Sequence, residues 1–439
     1  MPRQRASKKE ILGWAMFDFA NQAYTLLIIT VVFGDLFTRV IVADAESGYR
    51  LGNLLWSLSL AAGYLLVVLS APFLGAVMDI SARRKQFLFF SYIATVLTTA
   101  LLYFVAPGYI LLGMLLIVFS NYAYSIGESF IASFLPDLGP AEDMGRISGF
   151  GWALGYVGGL VATGLALLFL GEVSAENFDN VRWVGPFAAA FFLLAAIPTF
   201  LWLKERGTAH PVSRREMWQL GRARVRESVR HLEGYRDLTT FLLSAVFAMS
   251  GIYIIIAFTF IYGAQVIEWD ERMRVLTFIT VQLTATGGAI LFGWVQDRMG
   301  SRFTYGFTLL FWIVAIVLIW RTPAITTWLN QFGYQLHPQD VFLVVAVAAG
   351  LCLGATQSAS RAIVGQLTPL PRAAEFYGFW GLSHKLAAII GLVAVGLLQA
   401  WVGLQNAILL CAVFFALAFI VSLKVDMARG EAVAEAYKE

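Results

Sequence analysis

The sequence predicts an all-α membrane protein, with twelve transmembrane helices in two pseudo-symmetric halves of six. Three observations carry this. The 439 residues are 59% hydrophobic and only 13% charged, against roughly 25% charged in a soluble domain, so most of the surface must face lipid. Apolar runs of about 18 residues or more, the length a spanning helix needs, recur along the whole chain; barrel strands would be about 10 residues and alternating. Short polar stretches recur at half-chain separation, which points to two related halves.

The spans read, in order, near residues 12–40, 51–75, 87–106, 108–134, 147–170, 184–203, 238–267, 275–297, 303–320, 341–366, 376–401 and 404–423. The first follows the basic tract "MPRQRASKKE". It is too long for a signal-peptide core of about 7–15 residues and has no small-residue cleavage site, so it reads as a retained span. An even count puts both termini on one side. Of the 31 Lys and Arg, 23 fall in segments on that side, including Arg3 and Lys438, six fall at the other side, and two fall inside spans. This asymmetry predicts cytoplasmic termini. The short loops and absence of a targeting sequence favour a bacterial inner (plasma) membrane. Residues 204–237 form the one long polar interruption, a basic and amphipathic or loosely helical linker. It reads as a solvated connector or a segment lying on an anionic leaflet. The expected organisation is therefore 1–203, a linker 204–237, and 238–439.

The halves echo each other. "GAVMDISARRK" (75–85) follows span 2 and "GWVQDRMGSRF" (293–303) follows span 8, an offset of 218 residues. A second echo joins "LPDLGPAEDMGRISGFG" (135–151) to "LTPLPRAAEFYGFW" (367–380), each leading into the fifth span of its half. The first pair reads as two loops, in which Gly lets helices approach, Asp caps a neighbouring helix N-terminus and a basic cluster holds the turn. The second copy offers Gly293, Asp297, Arg298, Gly300 and Arg302; the first keeps Gly75, Asp79, Arg83, Arg84 and Lys85 but has Ile80 and Ala82 at the basic and Gly positions.

That pattern resembles the cytoplasmic-loop signature of the major facilitator superfamily. "WAMFDFANQAY" (14–24), "GRISGFGWALGYVGG" (145–159) and "QSASRAIVGQLTPLPRAAEFYGFWGLSHK" (357–385) narrow the resemblance. Together they are similar to the unknown major facilitator branch, which includes fungal vacuolar effluxers that export amino acids during autophagy. The resemblance covers nearly the whole chain. It implies the major facilitator fold and a permease working by alternating access, with spans 1, 4, 7 and 10 lining a central cavity. For the fungal relatives it implies amino-acid export.

Four charges lie inside spans: Asp18, Glu128, Arg361 and Lys385. Each is about five to nine residues from the cytoplasmic end of its span, hence about 7–14 Å deep. Helical spacing surrounds them with polar faces. Asp18, Asn21 and Gln22 share one face; Asn121, Tyr124, Ser125 and Glu128 another; Gln357, Ser358 and Arg361 a third. Buried charges must be paired or reach water. Three readings stay open. The acids of one half pair with the bases of the other as a gate; or they divide a zwitterionic solute, acids holding its ammonium and bases its carboxylate; or they lock helices in a fixed arrangement. Glu128 is also a candidate carrier of a coupling proton, and His384 a candidate relay. Tyr253, Tyr262 and Gln265 in span 7 are candidate cavity residues. Gly151, Gly155 and Gly159 in span 5, with Ala285, Gly288, Ala289 and Gly293 in span 8, read as smooth facing surfaces.

Other classes are disfavoured. No Walker loop, H-E-x-x-H or G-x-S-x-G motif is present, so ATP-driven pumping, zinc proteolysis and serine hydrolysis lack their chemistry. The four His, at 210, 231, 337 and 384, are isolated, and Cys352 and Cys411 lie in apolar runs. No metal, cofactor or nucleic-acid partner is expected. The expected partners are a small-molecule solute, the lipid bilayer and protons, with the chain working as a monomer. A lipid or drug exporter of the same fold, or a membrane scaffold or sensor, is the alternative.

Overall fold

The computed structural model describes residues 5–44, 49–171, 173–207, 213–230 and 232–437. Arg3, Lys438, His210 and His231 lie outside the described residues. Among those described, twelve helical segments are long and apolar enough to cross a membrane. They are span 1 Lys8–Val42, span 2 Leu51–Ser81, span 3 Arg84–Phe104, span 4 Ile110–Asp137, span 5 Ala141–Leu170 and span 6 Phe178–Trp202. The second six are span 7 Arg236–Ile267, span 8 Arg272–Met299, span 9 Ser301–Asn330, span 10 Pro338–Leu367, span 11 Leu370–Gln399 and span 12 Leu404–Ser422.

Every span read from the sequence is present, but several are longer. The signatures expected as loops after spans 2 and 8 are the last turns of those helices. Nothing in residues 75–81 or 293–299 breaks a helix; the chain turns only at Ala82 (φ 48°) and Gly300 (φ 91°). These two positions correspond at the 218-residue offset. At Ala82 a side chain occupies the left-handed region (φ 48°, ψ 39°), at a cost of about 1–2 kcal/mol; Gly300 turns with a positive φ but an extended ψ of 148°. Span 1 departs from regular α geometry beyond Ala23: Tyr24–Val31 and Phe37–Val42 are π-helical. Span 7 ends in a π-helical turn at Gly263–Ile267. Such segments are rare and concentrate at functional sites.

The chain divides into two compact units. Unit 1 holds Met1–Leu138, Leu154–Arg230 and Leu370–Leu382; unit 2 holds Gly139–Ala153, His231–Pro369 and Ser383–Glu439. Thus the first turns of span 11 pack with most of the first six spans, and the first turns of span 5 pack with most of the second six.

Close backbone approaches fix both arrangements. In unit 1 an ideal Cβ on Gly75 would meet the Ala374 carbonyl oxygen at 2.1 Å, and one on Gly378 the Ala71 carbonyl oxygen at 2.5 Å. In unit 2 a Cβ on Gly149 would meet the Ala289 carbonyl oxygen at 2.2 Å, and one on Gly293 the Gly145 carbonyl oxygen at 2.6 Å. Ala71 and Ala289, like Gly75 and Gly293, are 218 residues apart, so the repeat seen in sequence is a repeat of contacts. This corrects the expected glycine faces. Spans 5 and 8 do meet, but through Gly145 and Gly149. Gly155 lies against Asp18 of span 1, and Gly288 against Leu351 of span 10. The reason is helix length: span 5 begins at Ala141, so its first turns contact span 8 and its later turns contact span 1.

The linker contains a regular helix, Arg214–Arg230, within unit 1. Trp218 packs on Phe73 of span 2, ring centroids 5.2 Å apart, and Gly221 admits Val77. Its buried residues Gly221 and Ser228 share one face, while Arg215, Arg222, Arg226 and Arg230 lie exposed on another. Nearby, Glu205 accepts from the Lys85 backbone N–H at 2.7 Å, and partial burial raises its carboxyl above the usual range.

Candidate functional site

In unit 1, spans 1 and 4 build a polar cluster inside an apolar core. The Tyr24 and Tyr124 rings stack with centroids 4.6 Å apart. The Tyr24 hydroxyl bonds Ser120 at 2.7 Å. The Tyr124 hydroxyl donates to Glu128 Oε1 at 3.0 Å and meets Thr25 Oγ1 at 2.6 Å. Glu128 consumes the phenolic proton, so Thr25 is the donor to Tyr124. Asn21 is buried, and its Oδ1 has no hydrogen-bond partner among the described residues. Asp18 and Gln22 are half-buried on the same helix, with the Gln22 side chain against Gly155. Asn121 turns to span 2, donating to the Leu60 carbonyl at 3.3 Å. The expected pair Tyr124–Glu128 is therefore assembled, and Asn121 braces a neighbouring helix.

In unit 2, Arg361 is buried against the start of span 5. Its Nη2 donates to the Ser148 carbonyl at 2.9 Å and its Nε to the Ser148 hydroxyl at 3.2 Å. The Ser148 hydroxyl in turn donates to the Ser358 carbonyl at 2.8 Å. The guanidinium lies 5.3 Å from the Trp152 ring centre, within cation–π range. Gln357 is half-buried one turn away, and His384 and Lys385 are buried on span 11. The Tyr262 hydroxyl donates to the Ile319 carbonyl, holding span 7 to span 9.

The two signature aspartates cap helices. Asp79 accepts from the Ala374 and Glu375 backbone N–H groups at 3.0 and 2.9 Å. Asp297 accepts from those of Gly145 and Arg146 at 2.8 and 3.0 Å. A carboxylate at a helix N-terminus satisfies orphan donors and meets the positive end of the dipole. The copies differ at the second donor residue. In unit 2 it is Arg146, whose side chain pairs with Asp297 at 2.8 Å and with Asp143. In unit 1 it is Glu375, another acid beside an acid. There Arg372 supplies two bonds to Glu375 at 2.9 Å, and the linker helix supplies Ser228 and Arg224, the latter at 3.5 Å. Arg83 precedes span 3, and Arg84 bonds Asp137 at 2.6 Å. Arg298 lies over the Trp294 ring at 3.8 Å. Gly300 provides the turn.

Sequence reading missed Tyr24, Thr25 and Ser120, although Tyr24 and Thr25 lie one turn beyond Asn21 and Gln22. It also missed the Arg372–Glu375–Ser228 cluster. Tyr124→Phe removes the bond to Glu128 and leaves Thr25 without its acceptor. We expect about 1–2 kcal/mol lower stability, seen as a lower melting midpoint in detergent, and a several-fold change in transport.

Residues 54–435 match a family described as vacuole effluxer Atg22 like. The MFS-type transporter YxiO of Bacillus subtilis is 26% identical over 398 residues, covering 89% of each chain. Autophagy-related protein 22-1 of Neosartorya fischeri is 25% identical over 305 residues, covering 65% of this chain and 49% of its own; the chain spans about half the length of that fungal relative. Among solved structures, the major facilitator superfamily proton:xylose symporter XylE superposes with a TM-score of 0.69 at 14% identity, over 95% of both chains. The twelve spans are thus a major facilitator fold, the protein is a multi-pass membrane transporter of that type, and the chain belongs to the Atg22-like vacuole effluxer family.

Proposed function

We propose that this protein exports amino acids across a bacterial plasma membrane, by alternating access of its two six-span halves, as a monomer with cytoplasmic termini. One observation carries the substrate class. The unit 1 cluster presents acceptors: the Glu128 carboxylate oriented by Tyr124, the Asp18 carboxylate, and the buried Asn21 Oδ1, which no donor among the described residues fills. A substrate ammonium matches such a set, because it brings several N–H donors and a positive charge. Glu128 is the proposed carrier of a coupling proton, as the carboxylate held by Tyr124 for which a substrate ammonium and a proton would compete. The family description as effluxers supports the direction.

Purified protein in proteoliposomes loaded with labelled amino acids tests this. Efflux above empty vesicles, stimulated by an imposed proton gradient, is expected. Asp18→Asn and Glu128→Gln are each expected to reduce it about tenfold, the loss of one charge-assisted hydrogen bond. Flux equal to empty vesicles overturns the substrate class; undiminished flux in both variants overturns the assigned roles.

A further inference from the structure

Unit 2 carries a groove beside the Asp297 cap, with Asp297 and Gly300 in its lining and a volume of about 830 Å³. Glu142, Gln296 and Glu431 line its polar end, and Phe303, Phe307 and Leu310 line its apolar wall. A chain of hydrogen bonds fixes what that polar end requires. Gln366 Nε2 donates to the Ala141 carbonyl at 2.7 Å. A carbonyl oxygen only accepts, so the amide orientation is set and Gln366 Oε1 accepts from the Ser301 hydroxyl, at 2.6 Å. The Ser301 oxygen has then given its proton and accepts from Gln296 Nε2, at 2.9 Å. This leaves Gln296 Oε1 as the far end of the chain. Gln296 is 1% exposed, and its Oε1 has no hydrogen-bond partner among the described residues. A buried acceptor left unmade is costly, and a ligand N–H would relieve it.

The surroundings specify the rest of the ligand. Glu142 and Glu431 favour a positive charge. Burial, with repulsion from Glu435 and Glu142, holds the Glu431 carboxyl above its ordinary range, and a cation would relieve that repulsion. Arg302, also in the lining, donates to the Leu423 carbonyl at 2.6 Å. Phe303, Phe307 and Leu310 are each about half exposed. At i, i+4 and i+7 they form one stripe about 10 Å long running along span 9. That stripe suits a hydrocarbon tail.

We propose that this groove binds a membrane amphiphile by its primary ammonium head, with the Glu142 and Glu431 carboxylates and Gln296 Oε1 receiving the N–H groups and the span 9 stripe receiving the tail. Two sources share that chemistry, an aminophospholipid and a free long-chain amine. A fully methylated head has the charge but no N–H, so it is the decisive comparison.

Native mass spectrometry of the full-length protein in detergent reads the result. The probes are dodecylamine, dodecyltrimethylammonium, phosphatidylethanolamine, phosphatidylcholine and ethylamine. Dodecylamine or phosphatidylethanolamine is expected to be retained about tenfold over its methylated counterpart, the worth of one charge-assisted hydrogen bond. Retention of both identifies the ammonium head as sufficient; retention of the phospholipid alone assigns the site to lipid. Glu142→Gln with Glu431→Gln is expected to abolish the preference, as is Gln296→Met. Equal retention of amine and methylated probes, ethylamine held as well as dodecylamine, or a preference unchanged in the glutamate double variant would each overturn the proposal.

Discussion

Glu375→Gln is expected to lower the stability of the protein by about 3–5 kcal/mol, the penalty for stranding a buried charge. Glu375 is fully buried and Arg372 is 4% exposed. Arg372 makes two bonds to that carboxylate, and Arg224 adds a third ionic contact. With an amide at 375, the Arg372 guanidinium keeps its burial and loses its counter-charge. The symmetric position supplies the control. Arg146 pairs with Asp297 but is 45% exposed, so water replaces much of what Arg146→Gln removes, and a loss of about 1 kcal/mol or less is expected. Melting midpoints in detergent should therefore separate the two variants clearly. The double variant Glu375→Gln with Arg372→Gln should recover much of the loss, because the guanidinium that Glu375→Gln strands at 4% exposure is then removed, leaving only the longer Arg224 contact broken. A Glu375→Gln protein that melts with the wild type would show that Arg372 reaches water. Transport should fall with stability, because the same cluster anchors the first turn of span 11 and the linker helix.

The contrast between the two copies explains what was legible in the sequence. Long apolar runs revealed all twelve spans, since lipid admits few other solutions. Helix ends were less legible: residues 75–81 and 293–299 contain enough polar groups to read as loops, and only the positive φ at Ala82 and Gly300 marks the true turn. Among site residues, Asp18, Glu128, Arg361 and Lys385 were conspicuous because a charge in an apolar run is costly. Their hydroxyl partners were not. Thr25, Ser120 and Ser148 are of types that sit in spans at little cost by bonding their own backbone, so nothing distinguishes them before the helices are packed. Glu375 was hidden differently. It lies among polar residues that read as a connection, and only the fold brings Asp79, Arg372, Arg224 and Ser228 around it. The 218-residue repeat was visible, but the reversal of sign between Arg146 and Glu375, which recruits the linker helix to one copy alone, needed the contacts.

Gly75→Ala is expected to reproduce the effect of removing the Asp79 cap. Gly75 and Asp79 are four residues apart, on one face of span 2. The added methyl would lie 2.1 Å from the Ala374 carbonyl oxygen and 2.8 Å from the Glu375 Cα. Both are backbone atoms that no rotamer change moves aside, so the first turn of span 11 must shift. Overpacking of this kind costs about 1–3 kcal/mol, and the shift also lengthens the two bonds that Ala374 and Glu375 donate to Asp79. The second copy is looser. A methyl on Gly293 would meet the Gly145 carbonyl oxygen at 2.6 Å and Arg146 Cα at 3.4 Å, so Gly293→Ala should cost less. A Cβ on Gly164 in span 5 meets none of the described residues within 4 Å, and Gly164→Ala should be neutral or slightly stabilising by helix propensity. Detergent melts and proteoliposome transport should rank the damage as Gly75→Ala, then Gly293→Ala, then Gly164→Ala. Because the glycine acts by letting the aspartate reach its amides, Gly75→Ala and Asp79→Ala share one loss, and the double variant should be little worse than the more damaging single. Full additivity would mean that close approach and capping stabilise the protein independently.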